Sequence, residues 1–231
     1  MKILTLITLI AVLFSCNRPD ERYEITGKIT GFKSSPAYLL LYAGEGQAKP
    51  IDSTELKDGS FSFSGKLSSP AIVYITFRNN PGYIRFFAKN SRISISADSA
   101  NLAEKTIRGS KTENQYQRFY KEYIRLFKSP LDSLHKEYNK AELRKDSTSL
   151  DKIISQLEEV SGNEKEYLMD FISTHRESAI SPYLIVKYLN YRITYEELKP
   201  VCENFDSVIS SNWAVQYLKN WRSYLTSRSQ P

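Results

Sequence analysis

Cysteine and histidine are scarce in this chain, at 2 residues each. That leaves too few ligands for a Cys/His zinc cluster, no CxxC redox pair and no disulfide framework. Runs of like charge are missing too. The 32 Lys and Arg are interspersed with 26 Asp and Glu, giving a net charge of +6 without a basic stripe to track a phosphate backbone. Nucleic acid is therefore not an expected partner. No GxSxG elbow, GxxxxGK[ST] loop, GxGxxG turn or HExxH helix occurs. What is present is ordinary globular material: 231 residues, 41% hydrophobic and 25% charged, with aromatics high at 13% and 16 of them Tyr. Such composition excludes a disordered chain, a coiled-coil rod and a polytopic membrane protein.

The one long apolar run is at the start, and it is an address. Lys2 is followed by 11 residues, Ile3 to Leu13, dominated by Leu and Ile. A bilayer-spanning helix needs about 20 residues, so this run reads as a secretory signal and is excluded from fold reasoning. Leu13-Phe14-Ser15-Cys16 closes it in the manner of a bacterial lipobox, after which cleavage leaves a lipidated cysteine as the new N-terminus. Phe14 is bulkier than the usual residue at that site. Residues 1–15 are thus expected to be a lipoprotein signal peptide and 16–22 a polar tether holding the mature chain to a membrane through Cys16. Removing 1–15 takes away Lys2 alone and leaves a net charge of +5. Asp20-Glu21 is a faint acidic export signal and points to the periplasmic side of the outer membrane.

The hydrophobic period changes near residue 109. Seven of the 9 Gly fall between residues 23 and 107. In that stretch Tyr23, Ile25 and Ile29 alternate with Glu24, Lys28 and Thr30, and Phe61 and Phe63 alternate with serines, as half-buried strands do. Ala37 to Tyr42 is a continuous apolar run, expected to be covered on both faces. Asp58-Gly59 and Asn79-Asn80-Pro81-Gly82 are turn signals. Roughly eight short strands are expected, as an antiparallel sandwich or barrel over 23–109.

From 110 to 231 the period is helical. Tyr116, Phe119, Tyr120, Tyr123 and Phe127 form one stripe. Pro130 opens a second segment carrying Leu131, Leu134 and Tyr138. Leu150, Ile153, Ile154 and Leu157 continue the pattern, and Tyr167, Leu168, Phe171 and Ile172 mark a further helix. Ser181-Pro182 starts a largely apolar one. Thr194 with Glu197 makes a capping box, and Pro200 should end or kink the helix that follows unless it lies in the first turn. Trp213 to Leu225 supplies the last helix. The fold class is α+β, a strand domain followed by a helical one.

The turns and alternations have a familiar order: Ile25-Thr26-Gly27-Lys28-Ile29, Ile51-Asp52-Ser53-Thr54, Lys57-Asp58-Gly59-Ser60-Phe61-Ser62-Phe63-Ser64-Gly65-Lys66, Ser69-Pro70, Phe86-Phe87, Ile93-Ser94-Ile95 and Ile107-Arg108-Gly109-Ser110. This resembles the bacterial domain of unknown function 4369, common in lipoproteins of one Gram-negative lineage. There it usually precedes a helical segment, which Ser181-Pro182-Tyr183-Leu184 looks like, and then a thioredoxin-like domain of the disulfide-reductase type. The resemblance is read as covering nearly the whole mature chain. A thioredoxin-like CxxC domain would begin where this sequence stops, so the redox activity the resemblance implies attaches to no residue here.

The remaining candidates for chemistry each have a plain structural explanation. Cys202, alone in Pro200-Val201-Cys202-Glu203, is expected on a helix as a small buried hydrophobe rather than a nucleophile. His135 and His175 are 40 residues apart and begin no metal-ligand spacing. Glu158-Glu159 and Glu196-Glu197 are adjacent, so on a helix they diverge by about 100° and read as solvated faces. The aromatics are less decided. Tyr74, Phe77, Tyr83, Phe86 and Phe87 occupy odd and even positions of two neighbouring strands, so one core cannot take them all. Either the second face packs on the helical part, or it is an exposed platform for a glycan or a partner protein.

The expected function is a non-catalytic binding or interaction module of the cell envelope, lipid-anchored, without metal or cofactor, and with a groove at the sheet–helix junction near Gly109. Two other classes compete: a truncated or split member of the thioredoxin-like lineage, accessory to a separately encoded redox domain, and a hydrolase or lyase with an unfamiliar site.

Overall fold

The computed structural model describes residues 21–44, 46–78, 80–190 and 192–228, with side chains described up to 221. The expected signal peptide and lipobox, with Cys16, lie outside the described residues.

Eight strands come first: β1 (Tyr23–Thr30), β2 (Pro36–Gly44), β3 (Gln47–Glu55), β4 (Ser60–Gly65), β5 (Ala71–Phe77), β6 (Asn80–Ala88), β7 (Arg92–Asp98) and β8 (Asn101–Arg108). They form two unclosed four-stranded sheets, in the orders β4-β1-β7-β8 and β3-β2-β5-β6. The expected sandwich-or-barrel is thus a sandwich. Among the described residues its one parallel pairing is β1 with β7, Ile25 opposite Ile93. The other neighbours run antiparallel.

Local chemistry sets several of these strands. Asp58 and Gly59 take φ of +49° and +74°, a turn that matches the twist of flanking strands, and Lys57 and Ser60 exchange backbone hydrogen bonds of 3.0 and 2.9 Å across it. Period-2 alternation then sorts the side chains. Ile25, Ile29, Phe63 and Ile93 from one sheet meet Leu39, Val73, Ile75, Ile84 and Phe86 from the other in the sandwich core.

Gly109 ends the strand half. Its φ is +87°, and a Cβ there would overlap the carbonyl of Arg92, so only glycine turns the chain from β8 into the helices. Six helices follow: α1 (Lys111–Tyr123), α2 (Ser129–Arg144), α3 (Ser147–Thr174), α4 (Ile180–Leu184), α5 (Tyr195–Glu203) and α6 (Trp213–Arg228).

Two expectations about helix boundaries change. Pro130 does not open a separate segment. A π-helical turn over Ile124–Lys128 joins α1 to α2 without a break, the Ser129 N–H bonding to the Ile124 carbonyl five residues back. The wider turn shifts the ladder just before the residue that has no N–H to give. The segments around Leu150 and Tyr167 are likewise one helix of 28 residues, about 42 Å long. Gly162 sits within it in open surroundings, where a missing side chain costs only about 1 kcal/mol. The Thr194–Glu197 capping box forms as expected. Pro200 is the sixth residue of α5, beyond its first turn, and the helix ends three residues later.

The helices pack on the outward face of β3-β2-β5-β6. A second core gathers Tyr116, Phe119, Tyr123, Leu168, Ile172, Ile180, Leu184 and Leu189 around Ile72 and Phe87 of that sheet. The far end is tied down by Asn212, whose Nδ2 donates to the Pro70 carbonyl at 2.7 Å, and by Trp213, which meets Tyr42 edge-on at 4.8 Å. On the outward face of β2 Leu40 and Tyr42 are half-buried, and on the sandwich side Ala37 and Leu39 are fully buried and Leu41 partly, so the expected two-faced cover is incomplete.

Candidate functional site

A concavity lies at the junction of the two halves. It is a groove of about 920 Å³ walled by β6, by the β7–β8 hairpin and β8, by α1, and by Tyr183 and Lys187. The size suits a small ligand, for which pockets of roughly 300–1,000 Å³ are usual.

The seam beneath the groove is built by the first turn of α1. Ser110 caps that helix, its Oγ accepting from the Glu113 N–H at 3.1 Å and donating to the Phe87 carbonyl at 2.5 Å. Glu113 is 2% exposed. Its Oε2 accepts from the Phe87 N–H at 2.8 Å, and its Oε1 accepts from Gln117 Nε2 at 2.5 Å. β6 is an edge strand, so Phe87 would otherwise present unpaired backbone groups. One helix start satisfies both. Ser110-x-x-Glu113 has capping-box spacing, and this spacing is the signal by which the seam could have been found in the sequence. The structure diverts its carboxylate from the helix's own backbone to the strand.

Above the seam, cations lie among rings. The Arg85 guanidinium carbon is 5.1 Å from the Phe87 ring centre, 5.0 Å from Tyr116 and 5.1 Å from Tyr183. Its Nη2 is buried with no hydrogen-bond partner among the described residues. Lys187 Nζ lies 5.0 to 5.8 Å from the rings of Tyr188, Tyr183 and Tyr120. Lys105 reaches in from β8. Burial pushes its ammonium below the ordinary lysine value, the Glu113 carboxylate opposes that, and the Arg85 charge adds to it. Among the described residues, none of these three cations is within ion-pair distance of a carboxylate. Burial holds the Tyr116 phenol well above its ordinary range, reinforced by Tyr183, so it stays a neutral donor.

The aromatic cluster foreseen on two neighbouring strands divides by the period-2 rule. Phe77 and Phe86 point into the sandwich core and are not a surface. Phe87 is equally buried, on the opposite face, against Tyr116 and Tyr183 at 5.1 and 5.5 Å. Tyr74 is half-buried against the helices. Tyr83 alone is exposed, at 55%, and lines the groove. The exposed platform is thus corrected to a covered face with one tyrosine at its margin, because the helices take up the apolar area that alternation turns outward. Arg85, Lys105 and Lys187 were not singled out by the sequence, where each is one cation among many.

The other candidates lie outside the groove. Cys202 is buried on α5. His175 stacks on Phe171 at 4.1 Å at the end of α3, and His135 is exposed, its Nδ1 2.7 Å from the Leu131 carbonyl. Glu158 and Glu159 are exposed. Glu197 closes its capping box and pairs with Lys165 at 2.8 Å. Glu164, also buried, accepts from the Tyr123 hydroxyl at 2.6 Å and from Arg192 Nη1 at 2.6 Å, which braces α3 against α1. Among the described residues no group of three or more His, Cys, Asp or Glu could hold a metal ion, and no helix is long and apolar enough to cross a membrane.

With this geometry in place, comparison with known proteins adds one finding. Residues 23–116 match the family described as domain of unknown function (DUF4369), so the expected resemblance is shown for the sandwich. The match runs past β8 and Gly109 to Tyr116, taking in the Ser110–Glu113 seam, and it does not extend to the later helices as the sequence reading had it. No curated protein matches the chain.

Proposed function

We propose that this chain is a lipid-anchored binding module of the cell envelope, non-catalytic, which presents the junction groove to a ligand or partner. The observation that carries the reading is the groove itself: two independently cored halves meet there and leave about 920 Å³ between them. The residues lining it suit holding better than turnover. Its single carboxylate, Glu113, has both oxygens committed to Phe87 and Gln117, and its tyrosines and cations are binding groups. Cys16, placed at the end of an apolar run in a lipobox, supplies the anchor, and each acyl methylene buried in the membrane contributes about 0.8 kcal/mol. The outer membrane, periplasmic side, is the proposed location.

Two experiments test this. Cys16→Ser is expected to move the protein from the membrane fraction to the soluble envelope fraction. Retention in the membrane would remove the anchor from the proposal. Affinity capture from detergent-solubilised envelope, with Cys16 intact, is expected to recover a protein or glycan above background. Recovery of neither rejects the binding module.

A further inference from the structure

The groove has a charge pattern that narrows its ligand. Three cations enter it, Arg85, Lys105 and Lys187, against the single carboxylate of Glu113, which is already hydrogen-bonded twice. Arg85 is the most telling. A guanidinium has five N–H donors in a planar fork, and leaving one buried without an acceptor is costly. Its Nη2 is in that state, while the three rings around it hold the plane in one orientation. A guanidinium edge takes a planar or tetrahedral anion through two parallel hydrogen bonds. Lys105 lines the same groove, where desolvation and the nearby Arg85 charge both disfavour its protonated form. An anion placed between them would relieve both.

The rest of the lining says what carries the anion. Asn101, Asn114 and Gln117 bring amide side chains, and Tyr83 brings an exposed ring. Amides serve hydroxyl groups as donor and acceptor together, and tyrosine faces pack against the C–H surfaces of sugar rings. Resting on the binding-module reading above, we propose that the groove binds an acidic saccharide, whose carboxylate or phosphate sits between Arg85 and Lys105 and whose ring packs toward Tyr83.

The test uses the full lipidated chain in non-ionic detergent, titrated calorimetrically with five probes: a uronic-acid disaccharide, a hexose 1-phosphate, the neutral disaccharide of the same linkage, inorganic phosphate, and an acidic tetrapeptide. The expected result is binding of one or both acidic sugars, weakened at least tenfold by Lys105→Gln and by raised salt, with the neutral disaccharide at least tenfold weaker than its acidic counterpart. The uronic and phosphate arms identify which anion the site takes. Arg85→Gln should abolish binding. Because Arg85 packs against three rings, the rim substitution Lys105→Gln keeps the test decisive if that variant does not fold. Equal affinity for the neutral disaccharide, equal affinity for inorganic phosphate alone, or no binding of either acidic sugar overturns the assignment. An acidic tetrapeptide binding more tightly than both sugars also overturns it. A captured envelope partner that is indifferent to Lys105→Gln and to acidic sugars overturns this assignment while the binding module stands. Absence of any captured partner or saccharide rejects the module itself.

Discussion

One sheet of the sandwich turns Glu24, Thr26, Lys28, Ser62 and Ser94 outward, all exposed, whereas the other turns Ile72, Tyr74, Arg85 and Phe87 outward and has them covered by helices. Both sheets obey the same period-2 alternation and share one apolar core. The difference is what their second faces carry. A face of serine and charge needs no cover. A face of rings must be covered, and the residues that cover it bring buried polar groups with them: Glu113, Ser110 and Glu164 all belong to the helical half. The sandwich core is held by shape alone, while the seam is held by shape and by obligatory hydrogen bonds.

This contrast can be broken by substitution. Phe87→Ala empties a fully buried position on the helix-covered face and should destabilise the protein by about 3–5 kcal/mol in denaturant unfolding, while Thr26→Ala on the free face should stay within about 0.5 kcal/mol. If the two changes cost the same, the faces are not different in kind. At the seam, Glu113→Ala removes the acceptor of the buried Phe87 N–H and should cost about 1–3 kcal/mol. Glu113→Gln keeps an acceptor oxygen, so its loss should be clearly smaller by the same measurement. Equal losses would mean that the negative charge, and not the hydrogen bond, matters there.

The smallest effect concerns the exposed side of the helical half. A hydrogen bond from Lys165, joined by one from the Thr194 N–H, holds the Glu197 carboxyl below its ordinary value of 4.5. A depressed folded-state value means that the contribution is complete above that ordinary value and is lost as pH falls through the lower, folded one. The pair is partly exposed, so it is worth less than about 1 kcal/mol. Melting temperatures of the parent protein and Glu197→Gln should differ at neutral pH and converge below pH 4.5. Parallel curves down to acid pH would assign the stabilisation to the cap geometry alone.

Much of the fold was legible because it rests on local signals. Asp58-Gly59 announces its turn, since positive φ at both residues suits few other pairs. Thr194 and Glu197 announce a helix start. The Tyr116–Phe127 stripe and the Ile25–Ile29 alternation announce which face is buried. The π turn ahead of Pro130 was not legible, because an alternative to breaking the helix depends on the packing of Tyr123 and Phe127 into the second core. Nor was the fusion of two helical segments through Gly162, where only context decides between a break and a tolerated gap. The five strand aromatics showed that two faces were involved, which was right. The sequence could not say that the outward face would be covered except for Tyr83.

The sequence by itself determined the strand half, the helical half and the boundary at Gly109, because alternation, helical stripes and turn chemistry act over a few residues. It also placed Cys16 just after the apolar run of residues 3–13, on which the proposed anchor rests. The tertiary structure alone decided the seam and the groove. Ser110 and Glu113 are 23 and 26 residues from Phe87, and Arg85, Lys105 and Lys187 come from three separate elements. No local pattern encodes such a meeting. It follows from the requirement that an aromatic sheet face find cover and that an edge strand find partners for its backbone.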